Sequence, residues 1–272
     1  MRSLASLLDL SGRVALVTGG GIGLGRHMAI ALAEAGADLV IAGRRPDVLQ
    51  ATAAELAALG HQALAVPADV ADAEQVQRLV DRALERFGRI DVLVNNAGFN
   101  HVEAAVTFPA ERWRAVLGVH LDGTFLCCQA VGRHMIERRS GRIVNVASIY
   151  GLVGHDGPLY AAAGRERAEA PAYAAAKGAV INLTRDLAAD WGRYGITVNA
   201  ISPGMFGKFD RDDGRDRERL PDEVAARLIA RTPLGRLGTA DDLKGAVVLL
   251  ASDAGAFITG HNLVVDGGWT AW

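Results

Sequence analysis

Short apolar runs alternate with helix-like segments along almost the whole chain, and this alternation constrains the fold more than any other feature. The apolar runs lack the polar alternation of a half-exposed strand, which is typical of strands buried on both faces of a sheet. The predicted strands are Val14–Thr18, Asp38–Ala42, Ala63–Val66, Asp91–Val94, Arg142–Ala147, Thr197–Ile201 and Leu263–Asp266. The predicted helices are Gly23–Ala35, Pro46–Leu59, Ala73–Phe87, Trp113–Arg138, Ala172–Tyr194 and Asp241–Ser252. This order predicts an α/β fold, a doubly wound parallel sheet flanked by helices.

Length and composition favour one domain that covers residues 1–272. Half of the residues are hydrophobic, which allows a large core, and no repeat or low-complexity linker divides the chain. The net charge of −2 argues against a nucleic-acid partner. The adjacent Cys127 and Cys128 cannot readily form a disulfide with each other and are predicted core residues of a reduced protein.

The N-terminus lacks the features of a signal peptide, and no stretch is read as a membrane span of about 18 apolar residues. We therefore expect a cytoplasmic protein without a membrane partner, and we predict no metal site.

A glycine-rich turn, Thr18–Gly25, joins the first predicted strand to the first predicted helix. Glycines let the backbone turn tightly and approach a pyrophosphate, and the amides at a helix N-terminus favour phosphate charge. This strand–turn–helix context is the one required of a Rossmann-type dinucleotide site. The predicted cofactor contacts in the turn are Gly19, Gly21, Ile22 and Leu24.

The second predicted strand leads into Gly43-Arg44-Arg45, where an acidic residue would be expected to bind the adenosine ribose of NAD. Arginine matches phosphate geometry, so Arg44 predicts a preference for NADP(H), with NAD(H) as the alternative cofactor. The alternative interpretation is that both arginines only cap a solvent-exposed loop.

Tyr173 and Lys177 lie one helical turn apart, so the phenol and the ammonium share a helix face. A nearby cation favours the phenolate form of a tyrosine, which can then exchange a proton with a substrate hydroxyl or carbonyl. Ser148 ends the preceding strand at the edge where ligands bind, and its hydroxyl can bind the same oxygen.

Together these motifs resemble the single-domain short-chain dehydrogenase/reductase family. The similarity rests on Thr18–Gly25, Asp69-Val70, Asn95-Asn96-Ala97-Gly98, Ser148, Tyr173 with Lys177, and Pro203-Gly204. It implies that Tyr173 is the general acid/base, that Ser148 binds the substrate oxygen, and that Lys177 binds the nicotinamide ribose. Besides Tyr173 and Lys177, the implied cofactor contacts are Asp69, Val70, Asn96, Ala97, Gly98, Pro203 and Gly204. The resemblance also implies a homo-oligomer, a tetramer in many members.

The chain departs from the family pattern at three places. His120 replaces a helix asparagine that holds a proton-relay water in the family. His120 could keep a bulge in this helix, or it could be a plain packed histidine; we expect a local structural role for His120 and retain it as a weaker catalytic candidate. Met205-Phe206-Gly207 lacks the threonine that often meets the carboxamide, which leaves that contact open.

The third departure is the long spacing between Ser148 and Tyr173. Tyr160 is nearer to the family spacing, but Gly164 stands where the lysine would be, so Tyr160 is not the predicted general acid/base. Residues 151–171 are interpreted as an insertion, and 205–238 as a second unusual loop. Both follow strands and are candidate walls of the substrate site, with His155 and Tyr160 as candidate substrate contacts. The alternative is that they are inert surface loops.

Further similarity to the gluconate 5-dehydrogenase-like branch implies a sugar, sugar-acid or polyol substrate, interconverted between alcohol and ketone. Reduction of a 3-oxoacyl thioester or another ketone is the first alternative, and epimerisation at a carbinol is another. A non-catalytic dinucleotide sensor is an alternative of a different class, although a sensor has no need of an activated phenol.

Overall fold

The computed structural model describes residues 1–157, 159, 170–207 and 222–272. Its strands are β1 Val14–Thr18, β2 Asp38–Gly43, β3 Ala63–Pro67, β4 Val92–Asn95, β5 Gly141–Val146, β6 Ile196–Pro203 and β7 Asn262–Val265. Its helices are α1 Leu4–Leu8, α2 Gly23–Glu34, α3 Pro46–Ala58, α4 Ala73–Phe87, α5 Ala110–Leu117, α6 Gly123–Arg138, α7 Pro171–Trp191, α8 Asp222–Arg231 and α9 Asp241–Ala251.

The strands of these ranges form one parallel sheet in the order β3-β2-β1-β4-β5-β6-β7. The chain runs outward from β1 in one direction and from β4 in the other, so the order reverses between these two neighbours. Ligands of doubly wound folds bind at such a reversal, outside the carboxyl ends of the strands. The predicted fold class, a doubly wound sheet in a single domain, is confirmed.

Alternate residues of β1 explain why the predicted strands lack polar alternation. Ala15 and Val17 pack into a core cluster with α2 and α9, whereas Val14 and Leu16 pack into a second cluster with α4 and α6. Both faces of the sheet are therefore buried, and apolar residues are needed at every position. Cys127 belongs to the second cluster, as does Cys128, and both thiols are free. Burial raises the pKa of the Cys127 thiol to about 12, which makes it unreactive.

Three segments differ from the sequence-based expectation. The predicted helix Trp113–Arg138 begins earlier, at Ala110, and is interrupted by a π-helical turn at Gly118–Asp122. Helix α8 lies inside the segment that we interpreted as a loop. The short helix α1 was also not predicted.

The continuous helical stretch Ala110–Arg138 is long and apolar enough to cross a membrane, with a mean hydropathy of 1.3 over its most apolar window of 18 residues. However, 44% of that window is buried in the fold. Its buried residues, such as Val131 and Met135, pack against the sheet, as expected for a core helix.

An ion-pair cluster lies at the amino ends of β1 and β5, on the side of the sheet opposite to the carboxyl ends of the strands. Asp253 accepts hydrogen bonds from Arg2 at 2.8 Å and Arg13 at 2.6 Å, and Arg142 lies 3.5 Å away. These contacts lower the pKa of Asp253 to about 2, chiefly through the Arg13 hydrogen bond. These ion pairs stabilise the fold at the amino ends of the strands, away from the carboxyl ends where we look for the site.

Candidate active site at the carboxyl edge of the sheet

The glycine turn is packed so closely that side chains cannot enter it. Gly19 has a φ of +64°, and a Cβ on it would lie 2.8 Å from Asn96 Nδ2. A Cβ on Gly25 would overlap both the Gly19 carbonyl oxygen and the Asn96 amide. Helix α2 follows with no side-chain cap from Ile22, so its first amides have no side-chain acceptor. A tight cradle ending at an uncapped helix N-terminus fits a pyrophosphate.

Thr18 and Asn96 tie the glycine turn to the loop after β4. Thr18 Oγ1 accepts hydrogen bonds from the backbone N–H groups of Asn96 at 3.0 Å and Ala97 at 3.1 Å. The Asn96 side chain donates to the carbonyls of Thr18 and Gly19, both at 3.2 Å. The bracing role of the Asn96 amide was not foreseen. Contacts of this loop with a cofactor would therefore come from its backbone more than from this side chain.

Three further residues predicted to contact the cofactor lie at the ends of the neighbouring strands β2 and β3. Arg44 follows β2 and is exposed, and Arg45 is half-buried ahead of α3. Beyond β3, Asp69 Oδ1 accepts a hydrogen bond from Ala71 N–H at 3.0 Å, and Val70 is buried. The structure thus brings these predicted positions to the same edge as the glycine turn.

Ser148, Tyr173 and Lys177 come together beside the end of β5. Ser148 is buried, and its hydroxyl shares a hydrogen bond with the Tyr173 phenol and accepts one from Tyr150 N–H at 3.2 Å. Lys177 Nζ donates to the Val146 carbonyl at 2.5 Å and lies 5.5 Å from the centroid of the Tyr173 ring. The ammonium of Lys177 is therefore held in place by a backbone carbonyl of β5, a contact that the sequence does not predict.

Burial changes the pKa values of Tyr173 and Lys177. It raises the pKa of the Tyr173 phenol, and the hydrogen bond with Ser148 opposes that rise. Burial also lowers the pKa of Lys177 to about 7. The expectation that the cation lowers the tyrosine pKa thus meets an opposing burial effect, because removing a charged group from water is costly.

His120 lies in the π-helical turn and is buried next to Tyr173. The two ring centroids are 5.1 Å apart, and the rings are nearly perpendicular, at 87°. His120 Nε2 lies 2.6 Å from the Phe99 carbonyl oxygen. Burial, reinforced by the Lys177 charge, lowers the pKa of His120 to about 3, so the ring is neutral.

The end of β6 is pressed against the end of β7. Gly204 N–H donates to the Val265 carbonyl at 2.9 Å, and a Cβ on Gly204 would lie 2.6 Å from Asp266 Cα. A pocket of about 380 Å³ opens here, between Met205 and Gly268. Pro203 and Gly204 thus lie at the carboxyl edge of the sheet, and their contact with a cofactor stays a prediction.

The two unusual segments are joined to each other in the parts that the structure describes. His155 stacks on Tyr150 with ring centroids 3.7 Å apart, and Asp156 forms a 2.6 Å ion pair with Arg231 of α8. Leu159 packs in one apolar cluster with α8 and the C-terminal region. Tyr160 lies outside the described residues, and so do residues 210–219, a stretch of the second segment in which every residue but Gly214 is charged.

Comparison with known proteins gives matches over nearly the whole chain. Residues 20–270 match the family model described as enoyl-(acyl carrier protein) reductase. The 2-dehydro-3-deoxy-D-gluconate 5-dehydrogenase of Bacillus subtilis is 40% identical, over 99% of each chain. The (2S)-[(R)-hydroxy(phenyl)methyl]succinyl-CoA dehydrogenase subunit BbsD of Thauera aromatica is 38% identical, over 96% of this chain and 98% of that protein. The crystal structure of a gluconate 5-dehydrogenase from Burkholderia cenocepacia, in complex with NADP and tartrate, superposes with a TM-score of 0.88 at 38% identity, over 99% of this chain and all of that one.

Proposed function

Since the chain belongs to the short-chain dehydrogenase/reductase family, we propose that it is an NADP(H)-dependent oxidoreductase that interconverts a secondary alcohol and a ketone. The observation that carries this proposal is the clustering of Ser148, Tyr173 and Lys177 after β5, at the same carboxyl edge of the sheet as the glycine turn that follows β1. A dinucleotide cradle and a proton-transfer group on one edge suit a redox reaction at a carbinol carbon.

The cofactor-holding residues are the glycine turn, the loop after β4, and Lys177. When bound, a nicotinamide supplies or accepts the hydride. In alcohol oxidation, Tyr173 as phenolate takes the hydroxyl proton; in the reverse direction, the phenol returns a proton to the carbonyl oxygen. Ser148 holds the same oxygen by its hydroxyl, and the Lys177 ammonium favours the phenolate.

The preference for NADP(H) rests on Arg44. Its side chain is exposed at the end of β2, where the next residue is Arg45 and not the acidic residue that would favour the free ribose of NAD. The Burkholderia relative crystallised with NADP supports this choice. Arg44→Ser should reduce kcat/KM with NADP(H) and leave kcat/KM with NAD(H) nearly unchanged, whereas an equal loss with both cofactors would contradict the assignment.

The proposed substrate class is a sugar acid, sugar or polyol. The Bacillus and Burkholderia relatives support it by what they act on and, in the crystal, by the bound hydroxy acid tartrate. The proposed substrate walls are His155, stacked on Tyr150, and the segments 151–171 and 205–238, the second of which contains α8. Tyr160 is proposed as a further substrate contact.

Reduction of an acyl thioester ketone is the second candidate, favoured by the Thauera relative that acts on a succinyl-CoA derivative. A panel of sugar acids, sugars, polyols and 3-oxoacyl thioesters, followed by nicotinamide absorbance with NADP(H) and with NAD(H), tests the proposal. Turnover of a sugar acid with NADP supports it. Turnover of thioesters alone would select the second candidate, and tight NADP(H) binding without any turnover would select a dinucleotide sensor.

We also propose that the protein is a cytoplasmic homotetramer. A groove of about 780 Å³ runs along α5 and the π-helical turn, where apolar Phe108, Trp113, Leu117 and Leu121 lie beside charged Arg114 and Asp122, and it is the surface that we propose for assembly. Light scattering with size-exclusion chromatography tests the tetramer, and a monomeric mass at micromolar concentration would refute it.

A further inference from the structure

His120 connects the helical stretch Ala110–Arg138 to two parts of the site. The π-helical turn at Gly118–Asp122 places its ring in the core, with only 3% of the residue exposed. One side of the ring presses on Gly98, where an added Cβ would overlap His120 Cε1. The same ring packs against Tyr173. Gly98 therefore has to be glycine because this imidazole occupies the space of a side chain.

Two backbone groups of Phe99 contact the same nitrogen of His120: the carbonyl oxygen lies 2.6 Å from Nε2, and the backbone N–H points at Nε2 from 3.2 Å. The carbonyl oxygen can only accept, so the shorter contact is a hydrogen bond when Nε2 bears the hydrogen, and we take this as the tautomer. Nδ1 is buried and has no hydrogen-bond partner among the described residues. Lys177 is the charged group that acts on the ring, and its positive charge opposes protonation. His120 is therefore a neutral donor with a fixed direction.

We propose that His120 is a positioning residue, which holds the loop after β4 and the ring of Tyr173 at a fixed separation. The hydrogen bond to Phe99 fixes the loop that follows Asn96–Gly98, and the perpendicular ring contact fixes the phenol. The inference rests on the proposed function, because it takes Tyr173 as the proton-transfer residue and this loop as a cofactor wall. In this inference the imidazole side chain of His120 aligns Tyr173 with the loop after β4.

The anchoring of the turn itself supports this task. Thr124 Oγ1 donates to the His120 carbonyl at 2.7 Å, so the backbone of the π-helical turn has a side-chain donor from the first turn of α6. The backbone of His120 is thus fixed from the helix side while the ring is fixed from the loop side. Displacement of a reacting group by about 1 Å can cost a factor of 100 in rate.

Two substitutions separate the contacts of the ring. His120→Ala removes both, and we expect kcat to fall at least about tenfold with a smaller change in KM, because alignment and not binding is lost. The acid limb of kcat/KM for alcohol oxidation should move to higher pH, since a loosened phenol lies farther from Ser148 and Lys177 on average. His120→Gln can still donate from its amide to Phe99, and it should recover a large part of the lost kcat.

His134 provides the matched control. It lies on α6, its Nε2 is also buried without a partner among the described residues, and its charged neighbours include Arg138 and Asp91 at the opposite edge of the sheet. His134→Ala should leave kcat and the pH limb unchanged, whatever it does to Tm.

The series is measured with NADP(H) and the substrate that the panel identifies, alongside Tyr173→Phe. Wild-type kcat and an unmoved pH limb in His120→Ala would overturn the inference, as would a loss equal to that of His134→Ala. If His120→Ala does not fold, a His120→Gln enzyme with full kcat supports the donor role, and one with no recovered activity refutes it. Retained turnover in Tyr173→Phe would instead refute the proposed function.

Discussion

Removing the charge of Lys177 is the perturbation whose size can be worked out most directly. Nζ lies 5.5 Å from the centroid of the Tyr173 ring. The phenolate charge is delocalised between Oη and the ring, so we take this distance as the charge separation; at an effective dielectric constant of about 20 it gives a stabilisation of about 3 kcal/mol. This energy corresponds to about 2 pKa units. Lys177→Met keeps the length of the side chain without the charge, so the tyrosine pKa should rise by about 2 units.

The assay is the pH dependence of kcat/KM for alcohol oxidation. Oxidation needs the phenolate, so below the tyrosine pKa the rate falls about tenfold for each unit of pH. Lys177→Met should therefore lose about 100-fold near neutral pH and recover at alkaline pH as its ascending limb shifts by about 2 units. The same attraction acts on Lys177, whose pKa burial lowers to about 7, so ammonium and phenolate stabilise each other.

Lys244→Met is the matched control, because Lys244 pairs with Glu34 at 3.0 Å on the surface. It should leave the profile unchanged. A Lys177→Met profile that falls equally at every pH, with no shift of the limb, would show that the lysine acts through binding rather than through its field. The reasoning from charge and distance would then be refuted.

The remaining predictions concern stability and cofactor binding. Gly25→Ala should cost about 1–3 kcal/mol and weaken NADP(H) binding, because its Cβ overlaps the Gly19 carbonyl; thermal melts and cofactor titration check this, and unchanged binding would contradict it. Gly245→Ala is its control, since a Cβ there meets no atom within 4 Å, and it should be neutral or stabilising by up to about 1 kcal/mol. Asp253→Asn should lower Tm at pH 7 and remove the part of the acid destabilisation that occurs between about pH 4 and the lowered pKa of about 2. The lowered pKa means that the carboxylate stabilises the fold above this window and ceases to do so as the pH falls through it. An acid-induced fall in Tm as steep as that of wild type would contradict this role.

Most of the sheet could be predicted from the sequence because both of its faces are buried. Each strand then needs an unbroken apolar run, and that signal is local. Helix α8 was missed although a signal was present: Asp222 and Glu223 lie in its first turn, Arg231 in its last, and Val224 and Leu228 are spaced to share one buried face. The charged residues before it made the whole segment resemble a loop.

The π-helical turn has no comparable signal in the residue pattern, and a helix bulge at His120 was only one of two possibilities that the family resemblance raised. The helical spacing of apolar residues runs through Gly118–Asp122 without a break. The extra residue of the π-helical turn is recognised only in the structure, where His120 is buried in the core. The ring is held by a carbonyl of Phe99, and a backbone carbonyl carries no signal in side-chain patterns.

In the candidate site, too, side-chain positions were predictable from the sequence and backbone contacts were not. Tyr173 and Lys177 were readable because they are one turn apart on a helix, and Ser148 because it ends a strand. The Val146 carbonyl that binds Lys177 became visible only in the structure. Burial as the main influence on the Tyr173 pKa also depends on tertiary packing, so the sequence predicted the cation effect but not the opposing one.

The central claim is that Tyr173 transfers the proton in an NADP(H)-dependent alcohol–ketone reaction. Its most direct test compares Tyr173→Phe with Tyr160→Phe, by turnover on the substrate found in the panel and by NADP(H) titration of each variant. The account predicts that Tyr173→Phe loses turnover while its NADP(H) affinity stays within about threefold of wild type, since one hydroxyl is removed and the cradle is intact. Tyr160→Phe should keep its turnover. An active Tyr173→Phe enzyme, or loss of turnover in Tyr160→Phe alone, would contradict the account.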